Sequence, residues 1–381
     1  MKKVRLGDIC TVVSGTTPKS HVDEYWNGDK VWITPAEINE DTLVVTDSVR
    51  HISESAVKDS SLKSFPKGTV ILSSRAPIGK TAIAGCEMYC NQGFKNLICS
   101  EKINNLYLLY FLRSRKDYLN SLGRGATFKE ISKGIVENIK VPLPSIDTQI
   151  QIGNRIRTIE KLIGLRKKQL FLLDDLIKSR FVEMFGDPIS NSKKWHLLEL
   201  GAITSVGSSR RIFENEYVPE GVPFYRTKEI VELSKGQSIT TELYISKKRY
   251  DEIKNKYGVP QVGDLLISAV GTLGVIWIVD GRHEFYYKDG NLIKVDASDK
   301  FDSIFMKALL ENVIDEYRKR IASGTAYAAL TISGLEKMKI YDIPITLQKL
   351  FSNFYCRVDK SKLSTENSRK MIQNVIKYRE K

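Results

Sequence analysis

Ile78-Gly79-Lys80-Thr81 ends as a phosphate-binding loop ends, with a lysine to meet a phosphate and a hydroxyl to meet a metal ion. Such a loop opens its turn on a second glycine five residues before Gly79, and Ser74 stands there, so nucleotide binding is rejected at this segment. Other reactive constellations are missing too. His21, His51, His196 and His283 are scattered, and Cys86 and Cys90 have no second pair and no nearby histidine to complete a zinc site. There is no Asn-Pro-Pro-aromatic motif of adenine methyltransferases, no Gly-rich dinucleotide fingerprint behind a strand, and no standout acid pair with a lysine for a nuclease centre. With nucleophile, base and electrophile unassembled, the chain reads as a binding protein.

Composition bears on what it binds without deciding it. Lys and Arg number 59 against 45 Asp and Glu, a formal charge of +14, and that balance favours a polyanion, with nucleic acid first. A basic protein whose lysines serve solubility is the alternative. Cys10, Cys86, Cys90, Cys99 and Cys356 are odd in number and concentrated in one half, which fits a reducing compartment, and Cys86 and Cys90 read as buried free thiols. No apolar run approaches bilayer length, and Met1-Lys2-Lys3-Val4-Arg5 runs directly into domain sequence, so the expected location is the cytoplasm.

The elements that would carry a binding surface are written twice, the second copy roughly 195 residues after the first. Leu6-Gly7-Asp8-Ile9 returns as Leu200-Gly201-Ala202-Ile203, and Ser14-Gly15, more loosely, as Val206-Gly207-Ser208. Trp32 to Ile38 returns as Phe224 to Ile230, Gly68 to Ser73 as Gly263 to Ser268, and Ile78-Gly79-Lys80 as Leu273-Gly274-Val275. Gly125-Ala126-Thr127 parallels Gly324-Thr325-Ala326, and Val141-Pro142 parallels Ile343-Pro344. Short β-rich runs mixed with turns and a helical stretch make each copy an α+β domain. The expected boundaries are 1–144 and 189–344 for the two domains, with helical segments at 145–188 and 345–381.

From about Asp147 to Phe185 neither proline nor a strand pattern interrupts the chain, which predicts one helix of about 39 residues, roughly 58 Å long. Ile156, Ile163, Leu170, Ile177 and Met184 occupy one heptad site, and Ile152, Ile159 and Leu173 share the other with Arg166 and Arg180. Two charges in the seam favour a different helix as partner over a parallel copy of itself. In the C-terminal helix Leu347, Phe351, Phe354 and Val358 keep the heptad, Ser361, Thr365 and Ser368 lose it, and Ile372 and Val375 recover it. The expected architecture is two similar globular domains held apart by two long antiparallel coiled-coil helices, with an approximate two-fold relation. A surplus stripe, Leu162, Leu165, Leu172 and Leu176, fits a further partner helix or an intrachain contact.

Ser179-Arg180-Phe181-Val182-Glu183-Met184-Phe185-Gly186-Asp187-Pro188, at the end of the central helix, resembles the conserved-region signature of specificity subunits of type I restriction-modification enzymes. Ser14-Gly15-Thr16-Thr17-Pro18, Tyr25-Trp26-Asn27-Gly28 leading to Trp32-Ile33-Thr34, and Ser323-Gly324-Thr325-Ala326 leading to Leu330-Thr331 match that family's habits. The second copy departs from them by losing the Thr-Pro of the opening loop. The resemblance implies a non-catalytic subunit with two target recognition domains, each reading half of a bipartite double-stranded DNA site, and helices that act as a spacer. It also implies docking of modification subunits, two by analogy with the two repeats. These bring S-adenosylmethionine and methylate adenine, while a restriction subunit brings ATP- and Mg-dependent translocation and cleavage. This chain itself is expected to bind no cofactor and no metal.

Sequence is read from base edges by polar side chains on loops, while phosphate contacts set position. The candidates are Thr16, Thr17, Lys19, Arg75, Lys80, Arg124 and Lys129 in the first domain, and Arg210, Arg211, Arg226, Lys228, Arg320, Thr325 and Tyr327 in the second. Trp26 and Trp32 lie beside apolar neighbours and read as packing residues before base-stacking ones. Lys247-Lys248-Arg249 and Arg318-Lys319-Arg320 read as solvated helix faces. Glu37 and Glu229 occupy equivalent positions, where fixing a loop is the preferred role over accepting from cytosine. Two competing functions remain open at this point: a type II-like recognition subunit with its own or a partner's nuclease, and a coiled-coil scaffold that binds proteins only.

Overall fold

The computed structural model of the chain describes residues 2–125, 129–239, 243–322 and 329–379. It forms two compact units, residues 1–165 with 371–381, and residues 166–370. In the first, the strands are β1 (Lys3–Arg5), β2 (Cys10–Ser14), β3 (Lys30–Ile33), β4 (Val44–Val45), β5 (Arg50–Ile52), β6 (Val70–Leu72), β7 (Thr81–Ala84), β8 (Tyr89–Cys90), β9 (Lys95–Cys99) and β10 (Lys140–Pro142). They make a five-stranded sheet ordered β2-β9-β6-β7-β4, a three-stranded sheet β5-β3-β8, and the antiparallel pair β1-β10. The helices are α1 (Glu54–Asp59), α2 (Asn105–Arg113), α3 (Lys116–Leu122), α4 (Lys133–Glu137) and the start of α5 (Ile146–Phe185). Val70, Ile71 and Leu72 are buried on both sheet faces, as a short continuous apolar run requires. Asn104 caps α2 by accepting from Tyr107 N, which turns Leu108, Leu109 and Leu112 into the core beside Val70, Leu72 and Leu97.

The second unit repeats this plan with β11 (Leu197–Glu199), β12 (Val206–Gly207), β13 (Tyr217–Val218), β14 (Val222–Tyr225), β15 (Tyr244–Ile245), β16 (Leu265–Ser268), β17 (Ile276–Ile278), β18 (Tyr286–Tyr287), β19 (Leu292–Val295) and β20 (Lys339–Tyr341). Its helices are α6 (Thr227–Ser234), α7 (Lys247–Tyr257), α8 (Ser303–Ala322), α9 (Ile332–Glu336), the end of α5 and most of α10 (Ile345–Arg379), whose last residues from 371 belong to the first unit. The order β12-β19-β16-β17 reproduces β2-β9-β6-β7, β14-β18 is parallel as β3-β8 is, and β11-β20 pairs as β1-β10 does. The expected α+β class and the duplication are both present. The Gly125 and Gly324 landmarks run into residues outside those described.

Two bonding schemes recur almost atom for atom. Ser73 N donates to Lys80 O, and Gly79 N to Ser73 O, at 2.8 and 3.0 Å. The Ser73 hydroxyl donates to Pro77 O and accepts from Lys80 N, both at 2.8 Å. Ser268 makes the same set with Val275, Gly274 and Thr272. Gly79 and Gly274 sit at φ +90° and +77°, where a side chain would be strained. The segment that mimics a phosphate-binding loop is therefore a hairpin fastened by its own serine.

The second scheme involves a buried glutamine in the first turn of each long helix. Gln149 Oε1 accepts from Asn104 N at 2.9 Å, while Nε2 donates to Lys102 O and Pro144 O at 3.1 and 3.0 Å. Gln348 likewise accepts from Asp302 N at 2.8 Å and donates to Ile343 O and Lys300 O at 2.7 and 3.5 Å. Each glutamine ties its long helix to the loop that precedes α2 or α8.

In α5, Ile177 is buried, and the other seam positions 152, 156, 159, 163, 166, 170, 173, 180 and 184 are half-buried between exposed neighbours. Within the second unit the partner is α10, and the pairing is antiparallel. The ring centroids of Phe181 and Phe351 are 5.4 Å apart, the Arg180 guanidinium lies 5.8 Å from the Phe354 ring, and Asp174 meets Lys362 at 2.6 Å. Arg180 thus enters the seam by covering an aromatic face. Phe181 and Phe185 lie off the heptad yet are fully buried with Phe305 and Phe351, so the second unit's core reaches into the helix. Thr365 is buried despite breaking the apolar pattern, its hydroxyl donating to Ser361 O at 2.9 Å. Leu162, Leu165, Leu172 and Leu176 stay 42–53% exposed. Among the described residues no helix is long and apolar enough to cross a membrane, and no group of acidic, His and Cys side chains could hold a metal.

Candidate nucleic-acid interface

In the first unit the loop after β2 carries Thr16, Thr17 and Lys19, all exposed. Both tryptophans pin this loop. Trp32 Nε1 donates to Thr16 O at 3.2 Å and Trp26 Nε1 to Lys19 O at 3.3 Å, with the rings edge to face at 4.9 Å. Trp32 is core, as its apolar neighbours implied, while Trp26 is half-buried under the Arg50 guanidinium, 4.3 Å from its ring. Thr17 also hydrogen-bonds Gln92 in the turn between β8 and β9. That turn reaches the β6 end through Ser74 N, which donates to Gly93 O at 2.7 Å, and Ser74 O accepts from Ile131 N at 2.9 Å.

Arg75 therefore lies beside Glu130, with Nε 2.8 Å from Oε2, and Lys95 Nζ lies 3.1 Å from Oε1 of the same carboxylate. Arg124 exchanges both backbone hydrogen bonds with Glu130, at 3.0 and 2.9 Å. Burial pushes the Glu130 pKa up, but the hydrogen bonds and charges of Arg75 and Lys95 together hold it below the ordinary carboxylate value. Lys80 Nζ donates to Pro35 O at 2.7 Å, so its ammonium is engaged within the domain. Lys129 is exposed next to Glu130. The first domain's seven candidates thus gather around three connected loops. Gln92, Lys95 and Glu130 join them without having been singled out from sequence.

Strand register equates Val12 with Val206, since they face Leu97 and Val295, so Thr16 and Thr17 correspond to Arg210 and Arg211. The second copy has replaced its threonines with arginines. Arg210 N donates to the Tyr286 hydroxyl at 2.7 Å and its guanidinium stacks 4.3 Å from the Tyr257 ring. Arg211 pairs with Asp289 at 2.9 Å. A cavity of about 240 Å³ opens beside them, lined by Ser208, Ser209, Tyr286 and Lys294 among others. Arg226 binds Glu229, its N to Oε2 at 2.8 Å and Nη2 to Oε1 at 3.0 Å, while Lys228 is exposed. Glu229 is fully buried; burial pushes its pKa up, and the Arg226 bonds more than offset that. Glu37 does the equivalent work, accepting from Thr34 N at 2.6 Å and Val49 N at 2.7 Å. Both carboxylates fasten loops. Thr325, Tyr327 and the Arg320 side chain lie outside the described residues.

Lys247 and Arg249 lie on α7, where Lys247 pairs with Glu284 at 2.7 Å and Arg249 with Glu216 at 2.8 Å. Those charges are paired within the domain surface around the helix.

A family model described as the type I restriction modification DNA specificity domain matches residues 1–172. The type I restriction enzyme MjaIX specificity subunit of Methanocaldococcus jannaschii is 33% identical over 276 residues, covering 67% of this chain and 63% of that protein. The putative type I restriction enzyme specificity subunit S.HindORF215P of Haemophilus influenzae is 27% identical over 65% of this chain and 62% of its own length. The chain spans a little under two thirds of the length of these curated relatives. In fold it is similar to the crystal structure of a type I restriction-modification S subunit from M. genitalium, with a TM-score of 0.59 at 14% identity over 98% of this chain and 93% of that one.

Proposed function

The chain belongs to the family of type I restriction-modification DNA specificity subunits, and from that premise we propose that its two α+β domains read the two halves of a bipartite double-stranded DNA site. The observation that carries this reading is one scaffold used twice with different reading side chains. The serine-locked hairpin, the buried glutamine and the loop-fastening glutamate recur, while Thr16 and Thr17 give way to Arg210 and Arg211. Two heads with one frame and different side chains suit two different half-sites.

The helices α5 and α10 serve as the spacer, and the exposed leucines at 162, 165, 172 and 176 as a docking stripe for modification methyltransferase subunits, two per chain. Methylation and ATP-driven cleavage belong to those partners and to a restriction subunit, which supply S-adenosylmethionine, ATP and Mg. This chain contributes recognition rather than bond-making, in the cytoplasm where the DNA is.

A genome-wide map of methylated adenine, made with and without this gene, tests the reading. Loss of one bipartite motif of fixed spacing is the expected result, and an unchanged map would overturn it. Lengthening α5 by four residues near Leu170 should change the unspecified spacer and leave both half-sites intact.

A further inference from the structure

Both domains place a side chain at the end of β6 or β16 next to a residue from the segment leading into α4 or α9. In the first domain these are Arg75 and Glu130. In the second, the shared bonds of Ser74 with Ile131 and of Ala269 with Leu330 equate them with Val270 and Ala329. Lys95, opposite Ser14 in the strand pair, corresponds by the same register to Ile293. All three charged members of the first domain's cluster are therefore replaced by uncharged residues on an otherwise repeated frame.

The cluster's geometry is that of a held arginine. Glu130 is fixed by two backbone bonds to Arg124, and its oxygens are divided between Arg75 Nε and Lys95 Nζ. Lys95 is 8% exposed and cannot reach outward, whereas the Arg75 side chain is 44% exposed. With Nε occupied by the carboxylate, the Nη1–Nη2 end of the planar fork remains to face a ligand, and two cations on one carboxylate leave the site positive. A guanidinium fork matches O6 and N7 of guanine in the major groove, and locking its rotamer beforehand reduces the ordering cost of contact.

We propose that Arg75 reads a guanine in the half-site of the first domain, with Glu130 as its positioning residue, and that the second domain lacks this contact. The inference rests on the reading of the chain as a DNA specificity subunit and assigns one base to one residue. Glu130 is assigned positioning rather than reading, since each of its oxygens already binds a cation of the domain.

The test is selection from a randomised duplex library by the tagged full chain, purified from its own cells with whatever copurifies. The wild-type chain yields a bipartite motif with a guanine in one half. Arg75→Lys, which keeps the charge and loses the fork, relaxes that one position by roughly five- to 150-fold in base preference and leaves the other half-site unaltered. Glu130→Gln relaxes the same position more weakly, with an unfolding midpoint measured alongside to separate positioning from lost stability. Unchanged preference in Arg75→Lys, or relaxation spread evenly over both half-sites, overturns the assignment while the wild-type motif keeps the broader reading intact. A wild-type chain that selects no motif overturns the broader reading, and the assignment with it.

Discussion

Gln149→Ala removes three hydrogen bonds from a residue with no exposed surface. The Asn104 N–H loses its acceptor, and a donor left unpaired in a buried place costs about 1–3 kcal/mol. The Lys102 and Pro144 carbonyls lose donors at about 0.5–1.5 kcal/mol each, toward the lower end because both residues reach water. The expected loss for the first unit is about 2–4 kcal/mol. Peptide-resolved hydrogen exchange at rising urea reports each unit separately and suits this measurement. Gln348→Ala should cost the second unit a similar amount, since its bonds to Asp302, Ile343 and Lys300 repeat the pattern, and the two effects should add within about 0.5 kcal/mol. A loss under about 0.5 kcal/mol in either variant would refute the argument that these glutamines anchor the long helices.

Phe181→Ala should cost the second unit about 3–5 kcal/mol, because the ring is fully buried against Phe185, Phe305 and Phe351; a chemical melt of the variant measures it. The Glu130 cluster makes stability depend on pH: its folded pKa is depressed, so its contribution is present above the ordinary carboxylate range and is lost as pH falls through the folded value. The stability gap between wild type and Glu130→Gln should therefore narrow from pH 7 to pH 3, and a gap that widens would contradict the ion pairing. Cys356 is exposed and should label rapidly with N-ethylmaleimide, whereas Cys90 is buried with its thiol pushed up to about 12 by burial and should label only after unfolding, as mass spectrometry of digested samples will show.

Much of the frame was legible because its signals are local. The heptad spacing of Ile152 to Met184 is a property of one segment and matches the burial seen along α5. The paired landmarks at Gly68–Ser73 and Gly263–Ser268 survive because a hairpin needs its glycine and its serine wherever it is built. The candidate surface was only partly legible as a set of residues that meet in space. Thr16, Arg75 and Arg124 could be named by type, but Glu130 looked like any acidic residue until its bond to Arg75, across 55 positions, was known. A repeat-to-repeat comparison with the correct strand register would have raised it, since Ala329 stands in its place.

The duplication, the α+β class and the two long helices can be read from the residues alone, because periodicity and turn chemistry act over a few residues at a time. It takes the folded chain to show that Phe181 and Phe185 are core, that two tryptophans hold the Thr16–Lys19 loop, and that two cations share Glu130. Those outcomes depend on which distant segments meet, and that is settled by burying apolar surface and satisfying buried polar groups together over a whole domain.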